Sequence, residues 1–214
     1  MLIIFDCDGV LVDSELLAAE AFSIALAKVD IDMSKSECFA AFRGRALEDC
    51  FAIIRDKGHR LPEDFLGVLE AVEGPLLERE LRAVEGVEQV LAELQARRID
   101  FCVASNSRRA KLQSSLEIVG FSRYFGTRWY SAEQVRRGKP APDLFLYAAG
   151  QLAKAVEECL VVEDSISGIS AALAAGMEVV CYGDSGATVA GVQWFNSMSA
   201  LPGIIAAKSA ALKG

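Results

Sequence analysis

The 214-residue chain carries 30 Asp and Glu against 22 Lys and Arg, a formal net charge of -8 at pH 7, with 52% hydrophobic and 24% charged residues. The acid surplus argues against a nucleic-acid partner, because affinity for phosphate backbones depends on Lys and Arg neutralising them. The composition is globular, and the length allows one ordinary core plus a smaller domain.

The chain opens on a short apolar run, residues 2–5, that reads as a buried strand. It stops at Asp6-Cys7-Asp8-Gly9. In an open parallel sheet ligands bind beyond the carboxyl ends of strands, which places Asp6 where chemistry is done. Two acids one residue apart beside a turn-permitting glycine can share a hard cation such as Mg²⁺.

From 12 to about 29 the period changes to that of an amphipathic helix, with Ser14 as its expected N-cap. Helical patterns continue over 34–42, 46–57 and 62–82, punctuated by Gly44 and Gly58-His59, with no strand among them. His59 reads as a surface or turn residue. A helical block directly after the first strand is what an inserted cap domain, residues 15–81, looks like. Asp13-Ser14 and the 82–85 stretch would be its hinges.

Past Gly86 helix and strand alternate: helix 87–98, strand 100–104, helix 108–120, strand 128–131, helix 142–152, strand 159–162, helix 166–175, strand 178–182, a strand near 193–195 and a last helix over 198–208. This pattern predicts an α/β fold, an open and mainly parallel sheet with helices on both faces, built from residues 1–14 and 82–214. Three strand-like runs each end on polar residues, at Asp6, at Ser105-Asn106-Ser107 and at Glu163-Asp164-Ser165. Lys139 stands between Gly138 and Pro140, and the proline disfavours helix at the lysine. Two acids, a hydroxyl, a lysine and an acidic pair suit phosphoryl transfer, with cationic groups neutralising phosphate oxygens while a carboxylate attacks.

Competing motifs fail on their spacing. An EF-hand beginning at Asp6 needs an acid or amide at 10, Gly at 11 and Glu at 17, where the chain has Val10, Leu11 and Leu17. A P-loop ending at Lys139 meets Glu133 and Pro140 at required positions. Gly183-Asp184-Ser185-Gly186 looks like a trypsin-type serine motif, but the single histidine lies in the helical insertion and the chain is not all-β. Six scattered cysteines without CxxC spacing read as buried free thiols of a reducing cytoplasm. No apolar run reaches the roughly 18 residues of a membrane span, and the first is too short for a signal peptide.

Asp6-x-Asp8-Gly9, Ser105-Asn106, Lys139-Pro140 and Glu163-Asp164 together resemble the four motifs of the haloacid dehalogenase superfamily. Ser165-Ile166-Ser167-Gly168-Ile169 and Ala174-Ala175-Gly176-Met177 resemble its β-phosphoglucomutase-like branch. The resemblance implies a Rossmann-like core with a helical cap and an aspartyl-phosphate mechanism. Asp6 would be the nucleophile and Asp8 the acid and base. Mg²⁺ would be held by the Asp6 side chain, the Asp8 main-chain carbonyl and Asp164. Glu163 would ligate through water, orient Asp164, or simply partner a neighbouring Lys or Arg. Ser105 and the Asn106 amide would hold phosphoryl oxygens, Lys139 would offset charge on Asp6, and Arg43 of the Arg43-Gly44-Arg45 cap loop would reach the substrate.

Departures from the pattern sharpen the expectation. Asp8 favours ester hydrolysis over dehalogenation, because an alkoxide leaving group needs a proton. Ala18 and Leu47 stand where the mutase branch carries histidine and arginine. The expected protein is a cytoplasmic Mg²⁺-dependent phosphatase of small phosphorylated metabolites, sugar or polyol phosphates favoured, monomeric or homodimeric. A phosphosugar mutase and a non-catalytic phosphosugar-binding regulator are the alternatives.

Overall fold

A computed structural model of the chain describes residues 1–183 and 189–211. Asp184, Ser185 and Gly186 of the serine-like motif lie outside the described residues. The chain divides into two compact units, Met1–Val12 with Ala83–Gly214, and Asp13–Arg82.

The first unit contains strands β1 (Leu2–Phe5), β2 (Asp100–Ser105), β3 (Trp129–Ser131), β4 (Cys159–Glu163), β5 (Glu178–Tyr182) and β6 (Gln193–Phe195). All pair in parallel, in the order β3-β2-β1-β4-β5-β6. This is the doubly wound order whose direction reverses beside β1, and the crevice at that reversal is where such sheets bind ligands. β1 is buried along its whole length. Leu2 and Ile4 pack into a cluster with Leu144, Phe145, Ala148, Ile169 and Ala172. Ile3 and Phe5, alternating to the opposite face, are equally buried. A strand covered on both faces must be apolar throughout, which is why the 2–5 run shows no alternation.

The helices of this unit are α5 (Val87–Ala96), α6 (Arg109–Ile118), α7 (Ser122–Phe125), α8 (Asp143–Gln151), α9 (Ile166–Ala174) and α10 (Leu201–Ala211). The four-residue α7 has no sequence counterpart, since one turn is too short to show a helical period. The last predicted helix resolves into a 3₁₀ turn, Met198–Ala200, followed by α10, with Pro202 in its first turn. Among the described residues no helix is long and apolar enough to cross a membrane.

The second unit holds α1 (Glu15–Ala27), α2 (Lys35–Phe42), α3 (Leu47–Asp56) and α4 (Phe65–Glu80), with no strand. Its interior gathers Phe22, Leu26, Phe42, Ile54, Phe65 and Leu69, with the Phe22 and Phe42 rings 4.7 Å apart. Burying each such side chain contributes roughly 1.5–3 kcal/mol. Ser14 occupies the N-cap position of α1, but its backbone is already helical and its hydroxyl makes no capping hydrogen bond. The hydroxyl cap belongs to α2, where Ser34 and Glu37 form a reciprocal capping box.

Candidate active site

Asp6, Ser105 and Glu163 stand at the carboxyl ends of β1, β2 and β4, three adjacent strands. The Asp6 N–H still donates to Val162 O (2.9 Å), so the residue is held in register with the sheet. Lys139 enters from the loop after β3. Its Nζ lies 2.6 Å from Asp6 Oδ1 and 2.5 Å from Glu163 Oε1, and 4.8 Å from the centroid of the Phe145 ring. All three charged residues are buried. One ammonium thus serves two carboxylates. Burial pushes the Asp6 carboxyl up to about 7, Lys139 drawing it down while Glu163 and Asp8 push it further up. Burial would lower the Lys139 ammonium, but Asp6 and Glu163 outweigh it and hold its pKa above the ordinary lysine value.

Glu163 has both oxygens engaged. Oε1 takes Lys139, while Oε2 accepts from the N–H of Asp164 (3.0 Å), the N–H of Ser165 (3.0 Å) and the Ser165 hydroxyl (2.9 Å). The carboxylate sits at the N-terminus of α9, where exposed N–H groups favour negative charge. Gly168 makes the room: a Cβ there would fall 1.8 Å from Glu163 Oε1. Glu163 is thus the partner of a lysine, and the hydrogen bond it accepts from the Asp164 N–H also holds the backbone of that neighbour.

The Asn106 side chain clasps the Lys139 backbone. Its Nδ2 donates to Lys139 O (3.0 Å), and its Oδ1 accepts from Lys139 N–H (2.8 Å). Ser105 is buried, and its hydroxyl accepts from the Ser107 N–H at 3.0 Å.

Asp8 is half-buried, on the turn that leaves β1. Its Oδ2 accepts from the Ser107 hydroxyl (2.6 Å), and Lys111 Nζ of α6 lies 3.5 Å from its Oδ1. The Ser131 hydroxyl in turn donates to Ser107 O (2.6 Å). Gly9 has φ +82°, and a Cβ there would lie 2.2 Å from Asp164 Oδ2. Only glycine lets the Asp8-Gly9 turn come so close to Asp164. Sequence reading left Ser107 and Lys111 without a role. Ser107 lies within the polar run Ser105-Asn106-Ser107, whereas a lysine in the first turn of a helix carries no motif.

Asp6, Glu163 and Asp164 each present an oxygen within 4.8 Å of one another. An all-oxygen, anionic donor set fits a hard divalent cation. Two of its oxygens, Asp6 Oδ1 and Glu163 Oε1, already face Lys139, so Asp6 Oδ2 and Asp164 are the donors that best fit a metal. Arg43 belongs to the helical unit, where its Nε donates to Glu15 Oε1 (2.6 Å) and its guanidinium carbon lies 5.3 Å from the Phe39 ring centroid. All six cysteines are free and buried. Burial pushes their thiols up, to about 11 for Cys38 and Cys159 and about 12 for Cys50 and Cys181.

Residues 3–182 match the haloacid dehalogenase-like hydrolases, and the chain belongs to this family. The 6-phosphogluconate phosphatase of Escherichia coli (strain K12) is 33% identical over 179 residues, spanning 83% of this chain and 80% of that protein. Hexitol phosphatase A of the same organism is 29% identical over 178 residues, spanning 83% and 80%. A crystal structure of a HAD family hydrolase from Deinococcus radiodurans R1, with bound phosphate and sodium, superposes with a TM-score of 0.77 at 31% identity, covering 97% of this chain and 96% of that one. The chain is a phosphoric monoester hydrolase of this family.

Proposed function

We propose that the chain hydrolyses phosphate monoesters of sugars, sugar acids or polyols through an aspartyl-phosphate on Asp6, with Mg²⁺ as cofactor. The observation that carries this reading is the buried Asp6–Lys139–Glu163 group at the sheet's switch point. A lysine held between two carboxylates brings fixed positive charge to the place where phosphoryl oxygens must be stabilised. Names of the relatives support the substrate class, one acting on 6-phosphogluconate and one on hexitol phosphates.

In the first half-reaction a carboxylate oxygen of Asp6 bonds to phosphorus, the ester P–O bond breaks, and Asp8 gives its proton to the leaving oxygen. In the second, Asp8 takes a proton from water as that water attacks phosphorus, and the bond to Asp6 breaks. Lys139 and Ser105 offset charge on the phosphoryl oxygens. Asn106, its carboxamide committed to the Lys139 backbone, keeps that lysine in place and offers its main-chain N–H. Glu163 holds the Lys139 ammonium. Asp6, Asp164 and the Asp8 carbonyl would hold Mg²⁺, which when bound supplies further positive charge against the phosphoryl group. Arg43 would read the distal part of the substrate, in competition with Glu15. The buried free thiols favour a reducing, cytoplasmic setting.

Ala18 and Leu47, standing where the resemblance leads one to expect histidine and arginine, favour hydrolysis over mutase chemistry. A phosphate-release assay with Mg²⁺ across sugar, sugar-acid, polyol and nucleotide monophosphates tests the proposal. Release from the first three, lost with EDTA and restored by Mg²⁺, is expected. Isomerisation of a sugar phosphate without phosphate release would identify a mutase, and binding without turnover a regulator.

A further inference from the structure

Lys111 is the third residue of α6, with Arg108 at the N-cap and no acid in the first turn. A cation there faces the positive end of the helix dipole, which disfavours it. The placement is therefore unfavourable for the helix itself. The side chain is nonetheless folded inward, only 17% exposed, toward an Asp8 side chain that is 28% exposed.

The two oxygens of Asp8 are held differently. Oδ2 takes a short hydrogen bond from Ser107, whose own backbone is fixed at N–H by Ser105 and at the carbonyl by Ser131. Oδ1 faces the Lys111 ammonium at 3.5 Å, an electrostatic contact longer than a hydrogen bond. A carboxylate held at one oxygen can still swing about its last torsion, which is broad and soft. A positive charge beside the second oxygen restrains that torsion further.

We propose that Lys111 is a positioning residue for the hydrolysis: its ammonium, set against the Ser107 hydroxyl, keeps the Asp8 carboxyl in the orientation from which a proton passes to the leaving oxygen. The assignment rests on Asp8 being the acid of the reaction. Proton delivery matters in proportion to the basicity of the leaving group, so the role has a kinetic signature. An alkoxide leaves only when protonated, whereas p-nitrophenolate leaves unaided.

The test compares Asp8→Asn, Lys111→Met and Lys111→Arg with the unaltered enzyme, at saturating Mg²⁺, on glycerol phosphate, phenyl phosphate and p-nitrophenyl phosphate. Thermal unfolding monitors the fold of each. Lys111→Met is expected to lower kcat on glycerol phosphate about tenfold or more, to spare p-nitrophenyl phosphate within about threefold, and to leave KM little changed. Lys111→Arg should recover most of the loss, and it stands alone as the test if Lys111→Met does not fold: a steeper leaving-group dependence, smaller than in Lys111→Met, is then expected. Asp8→Asn should show the same selectivity on a larger scale, about 10²–10⁴. A loss by the lysine variants that is equal on all three esters, or confined to KM, or absent, while Asp8→Asn remains selective, would overturn the assignment alone. Equal losses by Asp8→Asn on all esters would instead overturn the reading of Asp8 on which it rests.

Discussion

The two units use burial differently. In the helical unit the interior is built from Phe22, Leu26, Ile54, Phe65 and their neighbours, and its buried polar residues are Ser14 and Glu73. In the sheet unit Asp6, Ser105, Ser115, Ser131, Lys139 and Glu163 are all buried among the described residues. Placing a charge out of water costs several kcal/mol unless partners replace its hydration. A fold that needed only stability would keep such groups at the surface, as the helical unit largely does. The buried charges among them, Asp6, Lys139 and Glu163, meet at the ends of β1 and β4, beside Ser105 at the end of β2, as expected where stability is traded for chemistry.

Substitutions in the two units should accordingly separate activity from stability. The largest effect belongs to Asp6→Asn, which keeps the side-chain shape and removes the carboxylate proposed as nucleophile. Phosphate release should fall by about a thousandfold or more with a cooperative unfolding transition retained. Near-normal turnover by the folded variant would remove the contrast between the units. Lys139→Met should follow, because it strands two buried carboxylates. A loss of about 3–5 kcal/mol in denaturant unfolding is expected alongside inactivity, the scale for breaking a buried ion pair from one side. A fully stable Lys139→Met protein would show that Asp6 and Glu163 are not held charged by the lysine.

Ile54→Ala sharpens the comparison from the other side. Ile54 is fully buried in the helical unit, so truncation should cost about 2–5 kcal/mol, measured by the same denaturant method. Its kcat on p-nitrophenyl phosphate should stay within about twofold while the protein is folded. The smallest effect is expected for Arg43→Ala, about tenfold on the preferred sugar or polyol phosphate and less on p-nitrophenyl phosphate, the scale of one charged hydrogen bond. Because Glu15 holds the Arg43 guanidinium, Glu15→Gln should act in the opposite direction, lowering KM for a substrate that carries a second anionic group.

Much of the sheet unit could be read from the chain because parallel strands covered on both faces leave unbroken apolar runs, as at residues 2–5 and 159–162. Polar residues that end such runs then point to the ligand crevice, which is how Asp6, Ser105, Glu163 and Asp164 come into view. Relations between distant loops leave no such trace. Nothing in the sequence pairs Asn106 with the Lys139 backbone, or Lys111 with Asp8. Two adjacent acids likewise give no sign which one is turned inward. That is decided by Gly168, whose missing Cβ makes room for Glu163 beneath α9. Ser14 misled because an N-cap needs extended backbone as well as a hydroxyl, and its ψ of -12° is helical.

The most direct test of the central claim is to locate the phosphoryl group during turnover. A rapid acid quench of the enzyme reacting with a sugar or polyol phosphate, followed by peptide mass spectrometry, should find one phosphoryl group on the N-terminal peptide at Asp6 and none in Asp6→Asn. A phosphoryl group on any other residue, with Asp6 unmodified while phosphate is being released, would contradict the account.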